Sequence, residues 1–96
     1  MYLKIYKCGP EIMVAVCDRD ILGKTFSEGE LRIQALESFY KGDLVTEGVA
    51  VEALKKATIA NLLGKKAVSC ALKNGIIAKE NIITIAGVPH AQMVRM

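Results

Sequence analysis

The stretch Thr46-Glu47-Gly48-Val49-Ala50-Val51-Glu52-Ala53-Leu54-Lys55-Lys56-Ala57-Thr58-Ile59-Ala60-Asn61-Leu62-Leu63-Gly64 decides how the chain is to be folded. Thr46 is a suitable helix N-cap, and Glu47 in the first turn suits the positive end of a helix dipole. Val51, Leu54, Thr58 and Asn61 recur at three- and four-residue steps, with Lys55 and Lys56 off that line. The pattern predicts an amphipathic helix from Thr46 to about Leu63, closed by Gly64. A second helical pattern runs from Lys65 to Asn74, with Val68, Ala71 and Leu72 on one side and Asn74-Gly75 as its stop.

The segments on either side of these helices read as strands. Tyr2 to Lys7 alternates, with Leu3 and Ile5 on one face. Cys8-Gly9-Pro10-Glu11 is a turn, and Ile12 to Cys17 is apolar on both faces, as a central strand of a hairpin would be. Asp18-Arg19-Asp20 ends it. Leu31-Arg32-Ile33-Gln34-Ala35-Leu36 alternates as a strand with one wet side, and Ser38-Phe39-Tyr40-Lys41-Gly42 reads as a loop. Ile82 to Ala86 reads as a buried strand ended by Gly87-Val88-Pro89, and Ala91 to Arg95 as a last short strand. Strands, then two helices, then strands predict an α+β fold: a mostly antiparallel sheet with two helices packed on one face.

Composition bounds the rest. Ninety-six residues form a single domain, 1–96. An apolar share of 52% with no Trp and 5% aromatics calls for an aliphatic core. Mean hydropathy is +0.31. No apolar run reaches the ~20 residues needed to cross a bilayer. Met1-Tyr2-Leu3-Lys4-Ile5 lacks the basic-then-apolar layout of a signal peptide, so a cytoplasmic protein without membrane contact is expected. A net charge of +3 and a pI of about 8.8 permit an anionic partner without requiring one.

Few motifs carry chemistry. Gly23-Lys24-Thr25 resembles the end of a phosphate-binding P-loop, but the first glycine position of that motif holds Asp18, whose carboxylate would repel phosphate. Cys8, Cys17 and Cys70 include no C-x-x-C pair, so no metal or other cofactor is expected from local spacing; a zinc site could only be assembled in space, from Cys8, Cys17 and His90. Gly64-Lys65-Lys66 opens the second helix, where free N–H groups favour anions. With Lys55-Lys56 it reads either as a face for RNA or a phosphorylated ligand, or as an ordinary solvated surface. Asn61 either ties the helix to neighbouring loops or points into a polar pocket. Cys17-Asp18 reads either as a buried thiol beside a turn-capping acid or, if His90 approaches, as a Cys-His pair oriented by Asp18. His90, the sole histidine, is placed where a strand meets a loop, as a base, a ligand or a structural hydrogen-bonder.

Val16-Cys17-Asp18, Leu22-Gly23-Lys24, Phe39-Tyr40-Lys41-Gly42, Asn61-Leu62-Leu63-Gly64 and Gly87-Val88-Pro89-His90-Ala91-Gln92 occur in one order over nearly the whole chain. In that order they resemble the archaeal family called domain of unknown function 424. The resemblance implies an archaeal cytosolic protein with a two-layer α/β sandwich and carries no established activity. It marks Cys17, Asp18, Gly23, Lys24, Phe39, Tyr40, Gly42, Asn61, Gly64, Pro89 and His90 as positions of interest. Where the family often has an acidic residue after the helix-break glycine, this chain has Lys65-Lys66.

Two functions follow as expectations. The first is a small non-catalytic binding or adaptor domain, associated with RNA or translation, using Lys24, Tyr40, Asn61, Lys65 and Lys66. The alternative is a small hydrolase or transferase built on Cys17, Asp18 and His90. Self-association through an exposed edge strand, such as Ala91 to Arg95, is a third expectation about partners.

Overall fold

The computed structural model describes residues 1–95. Strands β1 (Tyr2–Cys8) and β2 (Glu11–Cys17) form the expected antiparallel hairpin around Gly9-Pro10. After a 3-10 turn at Arg19–Ile21 come β3 (Thr25–Glu28) and β4 (Leu31–Gln34), a small sheet of their own. Then follow α1 (Glu37–Tyr40), β5 (Asp43–Leu44), α2 (Glu47–Lys56), β6 (Ile59–Leu63) and α3 (Lys65–Lys73). A 3-10 turn at Lys79–Asn81 leads into β7 (Ile82–Ile85) and β8 (Val88–Val94). The main sheet has six strands in the order β5-β1-β2-β6-β8-β7, antiparallel throughout except for the β2–β6 pair.

The α+β class with a mostly antiparallel sheet is therefore as expected, and α2 and α3 share one face. There Leu3, Val14, Val16, Ala60, Leu62 and Ala91 of the sheet pack on Ala50, Leu54, Ala57, Ala67, Val68 and Ala71 of the helices. The opposite face carries a partial third layer that the sequence did not announce. Ala35, Tyr40, Ile21, Leu22, Ile33 and Phe39 cover Ala15, Cys17 and Leu63. Ser38 to Tyr40 is accordingly part of the short helix α1 rather than loop.

The long helix read from Thr46 to Leu63 is corrected. Thr46 does cap it, its hydroxyl accepting from the Val49 N–H at 3.4 Å, but the helix ends at Lys56. Ala57 turns extended, and Thr58 pairs with Ile12 through both backbone and hydroxyl, starting β6. Ile59-Ala60-Asn61-Leu62-Leu63 is the strand at the centre of the sheet. Its three- and four-step repeat with α2 has no structural meaning: Thr58 and Asn61 fall at helical steps from Leu54 by coincidence, while Ala60 and Leu62 face the helices and Ile59, Asn61 and Leu63 the opposite side. The final strand is corrected too. β8 begins at Val88, so His90 lies inside a strand and not at its mouth. β8 is flanked by β6 along its length but by β7 only as far as Ala91, so Gln92 to Val94 pair with β6 alone. The β7 edge beside it is partly sealed. The Ile82 N–H goes to the Lys79 carbonyl, and the N–H of Ala86, in the β7–β8 turn, goes to Glu28 Oε1 at 2.7 Å.

One contact locks the parallel pair to the helix layer. The register Cys17↔Leu63 sets Asp18 beside Gly64, and the Asp18 N–H donates to the Leu63 carbonyl at 3.0 Å. Gly64 is the N-cap of α3 and has no side chain to satisfy the first N–H groups of the helix. Asp18, 48 residues away from Lys66 along the chain, does so instead: its carboxylate accepts from the Lys66 N–H at 2.9 Å and the Ala67 N–H at 2.8 Å. Gly64 is required on two counts. Its φ is +109°, and a Cβ there would lie 2.4 Å from Asp18 Cγ. Removal of the carboxylate in Asp18→Ala should cost about 2–3 kcal/mol, the loss of a cap plus buried donors left unpaired. Urea unfolding measures this directly; a stability within about 0.5 kcal/mol of wild type, the range of a neutral surface change, would show that the cap is dispensable.

Candidate functional site

The three residues of the catalytic expectation are near one another in the sheet but do not meet. Cys17, Leu63 and His90 occupy one row across β2, β6 and β8. Leu63 separates the other two, which puts their Cα atoms about 10 Å apart at ordinary strand spacing. Asp18 follows Cys17, so its side chain leaves the sheet on the helix side, whereas His90 shares the opposite face with Leu63. Each polar group has another partner. The Asp18 carboxylate is held by α3. Cys17 is fully buried, its Sγ 3.4 Å from the Asp18 carbonyl. His90 Nδ1 lies 2.9 Å from the Leu62 carbonyl. Burial, then the nearby charges of Asp18 and Asp20, push the Cys17 thiol up to about 12. It is protonated at neutral pH and is no nucleophile. The Cys17/Asp18/His90 cleft is thus replaced by a core thiol, a helix cap and a strand histidine.

The spatial zinc site is not assembled either. Cys8 and Cys17 stand at opposite ends of the β1–β2 hairpin, with Cys8 opposite Glu11 and Cys17 opposite Tyr2. No cluster of three metal-ligating side chains occurs among the described residues.

The binding candidates divide into buried and exposed. Tyr40 is a core residue, 4% exposed, packed edge-on against Phe39 with centroids 4.8 Å apart, and burial raises its phenol pKa. Phe39 in turn stacks on Tyr6, whose hydroxyl donates to the Phe39 carbonyl at 2.6 Å. This aromatic group fastens α1 to β1. Lys24 is exposed at the start of β3 and does not line the clefts formed by Lys65 and Lys66. Asn61 is on β6, on the face away from α2 and α3. Its Oδ1 accepts from Gln92 Nε2 at 2.9 Å, and its Nδ2 is 3.7 Å from Met13 Sδ.

Lys65 and Lys66 remain exposed at the head of α3. Three clefts meet at Lys66. One of about 400 Å³ runs toward Glu47, Ser69 and Lys73. A second, of about 410 Å³, lies against Asp20, Gly64 and the Ala86-Gly87 turn, and a third, of about 420 Å³, adds Arg19. The second and third lie beyond the carboxyl ends of the parallel strands β2 and β6, the position at which α/β sheets commonly bind ligands. Arg19 is a cation that motif reading missed, because only the 3-10 turn brings it beside a helix start far along the chain. Lys55-Lys56 is not part of this group. Ala57, which follows it, adjoins Thr58 and so the Ile12 end of β2, about 20 Å from Asp18 by strand rise. Lys55 is also paired with Glu52.

The histidine has a measurable consequence. Burial lowers the His90 pKa from the ordinary 6.5, against a smaller opposing effect of the Leu62 carbonyl. The unfolded chain therefore takes up a proton at higher pH than the folded one. The stabilising effect of a neutral His90 is complete above 6.5, is lost as the pH falls toward the folded pKa, and changes no further below it. His90→Gln should remove that step from a plot of urea stability against pH between 7 and 5. An unchanged step in the variant would assign it to other groups.

The comparisons with known proteins agree with this architecture. No curated protein matches the chain. It is similar to an uncharacterized conserved protein from Methanopyrus kandleri of known crystal structure. The TM-score is 0.80 and the identity 27%, over 99% of this chain and 92% of that one. The model of the family described as protein of unknown function (DUF424) matches residues 6–96, and the chain belongs to that family.

Proposed function

We propose that this protein is a non-catalytic RNA-binding domain of the cytoplasm that grips the phosphate backbone at the head of α3. The observation that carries the reading is the convergence of Arg19, Lys65 and Lys66 on clefts that meet at Lys66. None of the three forms an ion pair among the described residues. Of the three acids lining these clefts among the described residues, Asp18 directs its carboxylate to backbone N–H groups of α3 and Glu47 pairs with Lys73 at 2.8 Å, which leaves Asp20 to oppose the cations. The first turn of α3 already holds an anion, so a phosphate would be met by side-chain cations rather than by the helix terminus. Lysines on flexible stems suit a polyanion whose phosphates vary in position. The commitment of Cys17, Asp18 and His90 to other contacts argues in the same direction, away from catalysis. Among the described residues no helix is long and apolar enough to cross a membrane.

Binding of a structured RNA, followed by fluorescence anisotropy from 50 to 300 mM salt, is the test. The expected affinity falls steeply with salt as counterions are released. The Lys65→Glu/Lys66→Glu double variant should bind at least about tenfold more weakly, with a log–log salt slope reduced by about two. Both side chains are exposed, so its circular dichroism should match wild type. Affinity indifferent to salt, or binding unchanged in the double variant, would contradict the reading.

A further inference from the structure

The sheet face opposite α2 and α3 is only half covered, and its open half has a chemistry unlike that of the lysine clefts. The register places Ala15, Asn61 and Gln92 in one row, Met13, Ile59 and Val94 in the row below, and His90 beside Ile83 in the row above. Helix α1 covers the β2 side of these rows, and the β3–β4 sheet packs against β7, where Ile85 is buried. Between these two covers, toward the Ile82 end of β7 and the Val94 end of β8, the rows are open: Ile83 is 48% exposed and Val94 65%. None of Met13, Ile59, Asn61, Gln92, Val94, His90 and Ile83 is an acid or a strong base. Lys4, in the row of Ala15, turns away to the Ser38 carbonyl at 3.0 Å.

The polar atoms on this surface are oriented and incompletely used. A carbonyl oxygen can only accept, so the Leu62 carbonyl requires the proton of neutral His90 to be on Nδ1. Nε2 is then a bare acceptor. Gln92 Nε2 donates to Asn61 Oδ1, which leaves Gln92 Oε1 free to accept. Asn61 Nδ2 faces no oxygen, only the Met13 sulfur at 3.7 Å, a weak acceptor. Acceptors and a spare donor thus lie together between apolar side chains. At the step where β7 begins, a cleft of about 320 Å³ is lined by Asn81, Ile83, His90, Ala91 and Gln92.

We infer that this neutral ledge of His90, Asn61 and Gln92 receives an unstacked base of single-stranded RNA, with Ile83 and Val94 against the base's flat surface. The inference rests on the RNA reading above and supplies its missing half, since lysines on phosphates give affinity but no sequence preference. Single-stranded RNA is read by bases splayed onto protein surfaces and hydrogen-bonded along their edges. The ledge is suited to that occupant. It carries no charge to hold a phosphate. It also comprises about seven residues a side, where a stable protein interface needs about 20–30.

Four hexaribonucleotides, oligo(A), oligo(C), oligo(G) and oligo(U), distinguish the outcomes at one salt concentration. Wild type should favour one of them by about tenfold, the effect of one or two hydrogen bonds. Gln92→Ala, at an exposed position, should reduce that preference to less than about threefold while leaving the salt slope of binding unchanged. The favoured oligomer should also shift the ¹⁵Nε2 resonance of His90, the sole histidine and hence a single imidazole signal. Equal, salt-dependent binding of all four oligomers, with that resonance unmoved, would overturn the base site and leave the lysine reading standing. Binding of none, together with no binding of structured RNA, would overturn both. A concentration-dependent dimer disrupted by Gln92→Ala would give the ledge to a second copy and overturn the inference.

Discussion

The contact between Asp18 and the first turn of α3 holds the architecture together. A sheet of β-strands does not by itself fix where a following helix must start. Here the parallel pairing of β2 and β6 carries Asp18 to the place where β6 turns into α3. The carboxylate then accepts from two N–H groups that the helix cannot pair internally. Register, helix start and layer packing are set by one side chain. Gly64 is its counterpart: the turn needs a positive φ, and the carboxylate needs the volume that any Cβ would fill.

The same contact determines what the site can do. A helix terminus with free N–H groups is a ready anion site, but this one is occupied from within the chain. Asp18 is correspondingly unavailable as a catalytic acid or base, and its neighbour Cys17 is a protonated core thiol. What remains at this end of the sheet is Arg19, Lys65 and Lys66, mobile cations around a rigid junction. Around the sheet's far side lies a surface of the opposite kind, neutral and partly apolar, with His90, Asn61 and Gln92 fixed by cross-strand bonds. Under the proposal of RNA binding, the first surface would meet phosphate and the second a base.

The fold class was legible in the sequence because it depends on patterns that local physics enforces: alternation in β1, the Gly9-Pro10 turn, the Thr46 cap and the run of small and apolar positions along α3. The central strand β6 was not legible. Ile59 and Leu63 are apolar on the same face as Asn61, so the strand shows no clean period of two, and its residues extend the helical spacing of α2 by coincidence. Misplacing β6 misplaced Asn61, which belongs to a sheet face and not to a helix face. The His90 neighbourhood was read one element too early for a related reason: Pro89 suggested a break, yet it sits within β8. Asp18 stands out in the sequence as the end of a strand, but its partners lie 48 and 49 residues away, a separation that no local motif reports.

Hydrogen exchange of two amides tests the central contact most directly. The N–H groups of Lys66 and Ala67 belong to the first turn of α3, where amides ordinarily exchange fast for want of an internal partner. Held by the Asp18 carboxylate, they should be protected to a degree comparable with the amides of β2 and β6, and Asp18→Ala should release them selectively. Exchange of both in the wild type at the rate of an unstructured chain would contradict the account.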